Sequence, residues 1–353
     1  MLEELEDFRA EIDKIDEEII MLIKKRLEVA RRIALAKKKL GLDVTDPERE
    51  RAVLASWTER ARRESVPEDL AKNIAEFLIK YSKFVQRFAY GPPRNVALIG
   101  YGRMAKSIGG LLAKAGHRVI ISGRRMEKAE SLAKTLGCES AEVVEAIKNS
   151  EYVILAISRS ALESGYVDTF SGHLKSRVVM DIASSKSGVF EKLTALSLQH
   201  GFSYISTHPL FYSVELPYGE KIVLIPSESG YSVLPEVIVF WESLGLEVIV
   251  SSAIEHEKAM AIQQVVPHIF LMAMNRVLSE LWEILDVRAP ERFETRNMRR
   301  LRESLETVAK NMDTVLEIQK HNEYARLARE IALRALIDVV RSVEGGNSDC
   351  DRD

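Results

Sequence analysis

The sequence predicts a multidomain chain in which an α/β segment sits between two all-α segments. The expected bounds are a three-helix domain over 1–90, a linker at 91–95, a doubly wound α/β domain over 96–252, a helical domain over 253–344 and a disordered tail at 345–353. Three observations predict this. Residues 1–90 hold one glycine, Gly41, and no strand-like run. Residues 95–251 alternate short apolar runs with helical stretches. From Ile254 to about Val343 helical periodicity returns without a strand signal. A length of 353 residues agrees with two or three domains.

The first helix follows from Leu5, Phe8, Ile12, Ile15, Ile19, Leu22, Ile23, Leu27, Ala30, Ile33 and Leu35, which recur at three- and four-residue steps. Gly41 and Pro47 break it. Asp46 before Pro47 reads as a cap with proline at the first helical position, opening a second helix to about Arg63. "SVPEDL" starts a third that runs to about Phe88. Three helices, one of them long, bury little core for 90 residues, so a homodimer that covers the apolar stripe is expected.

"AYGPPRN" at 89–95 is the linker, because glycine and two prolines stop a helix. Apolar runs at 96–100, 118–122, 152–157, 177–182, 203–206, 221–226 and 246–251 predict a mainly parallel sheet. Gly100, Gly102 and Ala105 form G-x-G-x-x-A between the first strand and a helix. The first glycine permits a tight turn, and the second lets backbone approach a pyrophosphate that the helix N-terminus favours. This is the pattern of a Rossmann-type dinucleotide site, with Tyr101, Arg103 and Met104 completing the turn. The second strand ends "SGRR". Ser122, Gly123, Arg124 and Arg125 stand where an acidic residue would hold the 2′-hydroxyl of NAD. Two cations there suit a 2′-phosphate, so the expected cofactor is NADP, with NAD as the other possibility.

A net charge of −3 lacks the basic footprint of a nucleic-acid binder, and no apolar run approaches a membrane span. The acidic, amphipathic start "MLEELEDFRAEID" does not read as a secretory signal. Cys138 and Cys350 lie far apart in no metal-like spacing; reduced thiols in a cytoplasmic protein are expected. The long apolar stretch "AIQQVVPHIFLMAMNRVL" predicts that the C-terminal helices build a dimer interface.

Polar residues of the first region have informative spacings. Arg26 and Lys37 are eleven positions apart, about three helical turns, and share a face. Arg9, seventeen positions before Arg26, lies off that face and suits a neighbouring chain's site better. Arg49 and Glu50 follow the Pro47 start, and Ser82 and Gln86 are an i,i+4 pair. Each alone is also compatible with a solvated charged face. Together, "FRAEIDKIDEEIIMLIKKRLEVARRIALAKKK", "DPERE" and "YSKFVQ" resemble the all-helical chorismate mutases. The resemblance implies that Arg9 (from a partner chain), Arg26 and Arg49 bind substrate carboxylates. Lys37 and Gln86 would face the ether oxygen, and Asp46, Glu50 and Ser82 would complete the pocket, with Glu50 on the substrate hydroxyl. Rearrangement of chorismate to prephenate needs no acid, base or covalent intermediate. Its transition state places negative charge on one oxygen, which fixed cations and an amide stabilise.

The remainder resembles the prephenate dehydrogenases through "DIASSK" at 181–186, "THPLF" at 207–211 and "VVPHIF". The resemblance implies a bifunctional enzyme of tyrosine biosynthesis. His208, read as lying in a loop, would be the base that takes a ring-hydroxyl proton. Ser184 would hydrogen-bond that hydroxyl, and His268 would line the substrate pocket. The family places a carboxylate-binding arginine where Glu306 or Thr307 stands here. Arg296, Arg299, Arg300 and Arg302 lie one to three turns upstream; Arg299, alone or with Arg296, is expected to take that role. Two other readings stay open: a dehydrogenase-like domain that only regulates, and a dehydrogenase acting on arogenate.

Overall fold

The computed structural model describes residues 2–87, 91–212 and 219–345. They gather in two compact units, Met1–Ile182 with Leu196–Val250, and Ala183–Ala195 with Ser251–Asp353.

In the first unit, α1 (Leu2–Leu40), α2 (Pro47–Arg63) and α3 (Glu68–Arg87) form the expected trio. The end of the third helix expected at Phe88 lies outside the described residues. Gly41 ends α1 at φ +65°, where a side chain would be strained, and Leu42 N–H closes back on Lys37 O at 3.0 Å. Asp46 Oδ1 accepts from Arg49 N–H at 3.0 Å and caps α2. α1 is 39 residues, roughly 58 Å of helix. α3 packs against both α1 and α2. The N-terminal half of the α1 stripe stays open to solvent: Phe8 is 56% and Ile12 57% exposed.

The α/β part contains β1 (Asn95–Ile99), α4 (Arg103–Lys114), β2 (Arg118–Ser122), α5 (Met126–Leu136), β3 (Glu139–Ser140), α6 (Val143–Lys148), β4 (Tyr152–Leu155), α7 (Arg159–Glu163), β5 (Val178–Asp181), α8 (Val189–His200), β6 (Ser203–Pro209), β7 (Lys221–Pro226), α9 (Leu234–Ser243) and β8 (Glu247–Val250). The strands form one sheet in the order β3-β2-β1-β4-β5-β6-β7-β8. Seven strands are legible in the sequence. The eighth, β3, is two polar residues and carries no apolar signal. All neighbours are parallel except β6 and β7. Only residues 210–220 separate those two, too few for a helical crossover, so β7 returns antiparallel.

Leu98, Ile108, Leu112, Ile121, Ile154, Met180 and Trp241 are fully buried in one core on this sheet. Phe84 and Val85 of α3 pack with Leu111 of α4 and Leu27 of α1, which joins the helical trio to the sheet domain. His117 seals the bottom of the sheet: its Nδ1 accepts from Arg94 N–H at 3.0 Å and its ring meets Phe240. Burial, and then the Arg94 guanidinium, push the imidazole down to about 4, so it is neutral near pH 7.

The second unit contains α10 (Ala253–Met260), a π-helical turn at Ala261–Val265, α11 (Val266–Ile284), α12 (Arg296–Lys310), α13 (Met312–His321) and α14 (Ala325–Gly345). Thr295 caps α12 through Met298 N–H. Gln319 Nε2 donates to Val265 O, and Asn322 Nδ2 donates to Glu257 O, both at 2.8 Å. These bonds tie α13 to the α10–α11 rod. Apolar side chains of α14 such as Leu333 and Val339 are exposed. The tail expected at 345–353 lies, from residue 346 on, outside the described residues. Among the described residues no helix is long and apolar enough to cross a membrane.

Candidate active site

The three N-terminal helices enclose a cavity of about 270 Å³ whose walls carry Arg26, Lys37, Asp46, Arg49, Glu50, Ser82, Lys83 and Gln86. Three separate stretches of sequence therefore converge on one pocket. Arg26 Nη1 donates to Leu78 O at 2.7 Å and to Ser82 Oγ, and Ser82 Oγ donates to Leu78 O at 2.8 Å. Burial lowers the Arg26 guanidinium below its ordinary value. Lys37 Nζ donates to Val44 O at 2.8 Å. That bond holds the ammonium against the α1–α2 connection. Lys83 Nζ lies 2.9 Å from Glu50 Oε2. Glu50 Oε1 and Gln86 Oε1 are buried and accept no hydrogen bond among the described residues. A buried acceptor without a donor is costly, so both oxygens suit a ligand's donor groups. Arg9 is exposed on α1, seventeen residues or roughly 25 Å along the helix from Arg26, and is not part of this cavity wall.

The glycine turn lies between β1 and α4. Gly100 has φ +140°, and a Cβ built there would meet Ala156 O at 2.0 Å. Gly102 is the N-cap of α4; among the described residues it has no side-chain cap bond, and a Cβ there would meet nothing within 4 Å. The first glycine is thus demanded by sterics. The second leaves the α4 N-terminus open to an anion, with Tyr101, Arg103 and Met104 beside it. Arg103 stands 5.7 Å from the Tyr212 ring. Just beyond β2, Arg124 stands over the Tyr166 ring at 5.3 Å and Lys128 over the Tyr101 ring at 5.8 Å. Arg124 and the α5 N-cap residue Arg125 are both exposed. Ser122 differs from expectation: it is fully buried and its hydroxyl donates to Ala141 O at 2.7 Å, so it serves the sheet rather than a ligand. A bound nicotinamide dinucleotide fits this cradle on three counts: the cramped first glycine, the open second glycine and the exposed cations beyond β2.

His208 lies inside β6 and not in a loop. It pairs with Val223 of β7 and is 3% exposed. The strand runs through Thr207 to Pro209 because β7 supplies partners from Ile205 to Pro209, beyond the reach of β5. Tyr204, Ser206 and His208 alternate onto one face of the strand. Asp181, at the end of β5, is fully buried and accepts from Tyr204 Oη at 2.7 Å and from Ser206 Oγ. Thr207 Oγ1 donates to Asp181 O. This network fixes the strand that carries His208.

In the second unit, Ser184 is half-buried in the segment after β5. Its neighbours are fastened by the buried carboxylate of Glu257, which accepts from Lys186 N–H at 2.5 Å and from Ser185 Oγ at 3.4 Å. Lys186 Nζ donates to Ala183 O at 2.6 Å. Burial raises Glu257, but the bonds from His256, Lys186 and Ser185 outweigh it and leave the carboxyl below its ordinary range. His268, one turn beyond the π-helical widening, has a buried Nδ1 with no partner among the described residues, and burial lowers its pKa. Arg296 and Arg300 are exposed on α12. Arg299 is already engaged: it and Arg302 bind Glu294 at 3.0 and 2.6 Å. Glu306 pairs with Lys310 at 2.9 Å, and Thr307 donates to Glu303 O.

Sequence reading missed Lys83, Lys128 and Tyr166. Lys83 lies inside "YSKFVQ" and Lys128 near the α5 start, so both had a local signal. Tyr166 is distant in sequence from Arg124 and had none.

Comparison with known proteins agrees with this geometry. Residues 8–87 match the family described as chorismate mutase type II, and residues 95–185 the family described as NADP oxidoreductase, coenzyme F420-dependent. A chorismate mutase of Methanocaldococcus jannaschii is 33% identical over 87 residues, covering 25% of this chain and 88% of that protein. The T-protein of Haemophilus influenzae is 25% identical over 292 residues, covering 79% of this chain and 71% of that protein. The prephenate dehydrogenase of A. aeolicus, crystallised with hydroxyphenyl propionate and NAD+, shares the fold with a TM-score of 0.53 at 19% identity, over 72% of this chain and 93% of that one. The chain belongs to the chorismate mutase family through its N-terminal helices, which continue into a nicotinamide-dependent oxidoreductase domain with the fold of the prephenate dehydrogenases.

Proposed function

We propose that this chain is a bifunctional enzyme of tyrosine biosynthesis, which rearranges chorismate to prephenate and then oxidises prephenate to 4-hydroxyphenylpyruvate. The observation that carries the reading is the cavity in which Arg26, Lys37 and Arg49 meet Gln86, Glu50, Ser82 and Asp46. Arg26 and Arg49 bind the substrate carboxylates and select its compact conformer. Lys37 and Gln86 donate to the ether oxygen as its C–O bond breaks; each preorganised donor of this kind contributes on the order of 10²–10³ in rate. Glu50 Oε1 accepts the substrate hydroxyl. The open stripe of α1 supports a homodimer, in which Arg9 of one chain serves the partner's cavity.

In the second reaction a nicotinamide dinucleotide, held by Gly100–Met104 and the α4 N-terminus, supplies the hydride acceptor. His208 takes the proton of the ring hydroxyl as its carbon loses hydride and becomes a carbonyl. The ring carboxylate then leaves as carbon dioxide, and the ring becomes aromatic. Ser184 gives the substrate a hydrogen bond, and His268, neutral by burial, lines its pocket. Arg124 and Arg125, with no carboxylate at the end of β2, support NADP as the preferred cofactor. The exposed Arg296 is the freer candidate for a substrate carboxylate, since Arg299 is bound to Glu294.

Chorismate with NADP, followed at the reduced-nicotinamide absorbance, tests the whole reading. Chorismate loss followed by reduction is expected. Loss without reduction, also when prephenate or arogenate is supplied, would leave the second domain as a regulator. No loss of chorismate would overturn the first activity.

A further inference from the structure

Lys83 sits on α3 next to Ser82, with its Nζ 2.9 Å from Glu50 Oε2. The pair is largely withdrawn from water, at 15% and 27% side-chain exposure. The two oxygens of Glu50 are treated differently. Oε2 meets the ammonium, whereas Oε1 is buried and accepts nothing among the described residues. Both side chains line the cavity that holds Arg26, Lys37, Arg49 and Asp46.

Charge counting gives this pair a meaning. The substrate is a dianion. Arg26, Lys37, Arg49 and Lys83 against Asp46 and Glu50 leave this chain's wall two charges positive, and Arg9 of a partner chain would add a third, so what matters is the local charge of Glu50 rather than the total. Without Lys83, the Glu50 carboxylate would face two substrate carboxylates uncompensated in a space partly closed to water, where like charges repel strongly. We propose that Lys83 is a positioning residue of the chorismate site: it cancels the charge of Glu50 and holds that carboxylate by Oε2, so that Oε1 is aimed at the substrate hydroxyl. This rests on the mutase reading of the cavity.

The test is a double-mutant cycle on the full chain, with chorismate consumption as the readout. Lys83→Met is expected to raise KM for chorismate and to lower kcat/KM by about tenfold or more, as loss of one partly buried charge pair would. Lys83→Arg, which keeps the cation, should recover most of that loss. In a Glu50→Gln background, Lys83→Met should change kcat/KM less than threefold, because the group it acts through is already neutral. A merely structural lysine would give equal losses in both backgrounds. Lys83→Gln repeats the cycle if the methionine variant folds poorly, and oxidation of supplied prephenate reports that the chain is intact. Equal losses in the two backgrounds, or no loss in the native one, overturn the proposal. A native chain that leaves chorismate unconverted overturns the mutase reading instead.

Discussion

Replacing Gly100 by alanine should separate the two activities, and the structure sets the size of the effect. A Cβ at this position would lie 2.0 Å from Ala156 O and 2.6 Å from its carbonyl carbon. Relaxed contact begins at 3.4 Å, so the turn or the end of β4 must move by about 1.4 Å. β4 cannot retreat easily, because Ala156 N–H donates to Ile99 O at 2.8 Å. The turn must move, and it must also leave φ +140°, a region that costs an L-residue on the order of 1–3 kcal/mol. Strain and overlap together reach about 3 kcal/mol, roughly a hundredfold in affinity for whatever the turn holds. Nicotinamide-cofactor binding and prephenate oxidation by Gly100→Ala are therefore expected to weaken about a hundredfold. Chorismate consumption should match the native chain, since its cavity is walled by α1, α2, α3 and the α1–α2 connection. Parallel titration of cofactor and of chorismate decides it. Native-like cofactor affinity would refute the steric argument, and an equal loss of both activities would refute the separation of sites.

Other outcomes follow from the same geometry. Lys37→Ala should lower the mutase kcat by about 10²–10³-fold, with at most a small loss of thermal stability from the lost bond to Val44 O, and a variant with full activity would remove Lys37 from the chemistry. Arg124→Ala, alone and with Arg125→Ala, should raise KM for NADP by about ten- to a hundredfold and leave KM for NAD nearly unchanged; a parallel rise for both cofactors would count against 2′-phosphate binding. His208→Asn should retain NADP affinity and lose prephenate turnover, and the native rate in that variant would exclude His208 as the base. His117 has a depressed folded-state pKa of about 4 against 6.5 unfolded, so the unfolded chain takes up the proton first. Its contribution is complete above pH 6.5 and is lost as pH falls toward 4, up to about 3 kcal/mol. Urea midpoints at pH 7 and 4.5 should differ less in His117→Asn than in the native chain; an equal difference in both would place the acid sensitivity elsewhere.

Much of this molecule is legible residue by residue. Periodicity locates α1, Asp46 and Pro47 locate the start of α2, and apolar runs locate seven of the eight strands among the described residues, because each is decided by neighbours a few positions away. Gly100 and Gly102 are legible for the same reason: a strand, a tight turn and a helix N-terminus are local events. Arg26 and Lys37 could be placed on one face by helix geometry alone. Other features needed the folded chain. β3 exists because β2 offers a free edge, not because Glu139 and Ser140 favour a strand. His208 became a strand residue once β7 returned antiparallel beside it, and Ser122 turned inward because Ala141 O lay within reach. Arg299 reads as a free cation until Glu294 folds against it. Lys83 joins Glu50, and Arg124 stacks on Tyr166, only through contacts that span dozens of residues. Local chain chemistry is enough to set the helices, the glycine turn and the kinds of side chain available at each site. Folding was needed to bring distant charges such as Lys83 and Glu50 together, because their pairing depends on distances of a few ångströms that a separation of dozens of residues does not encode.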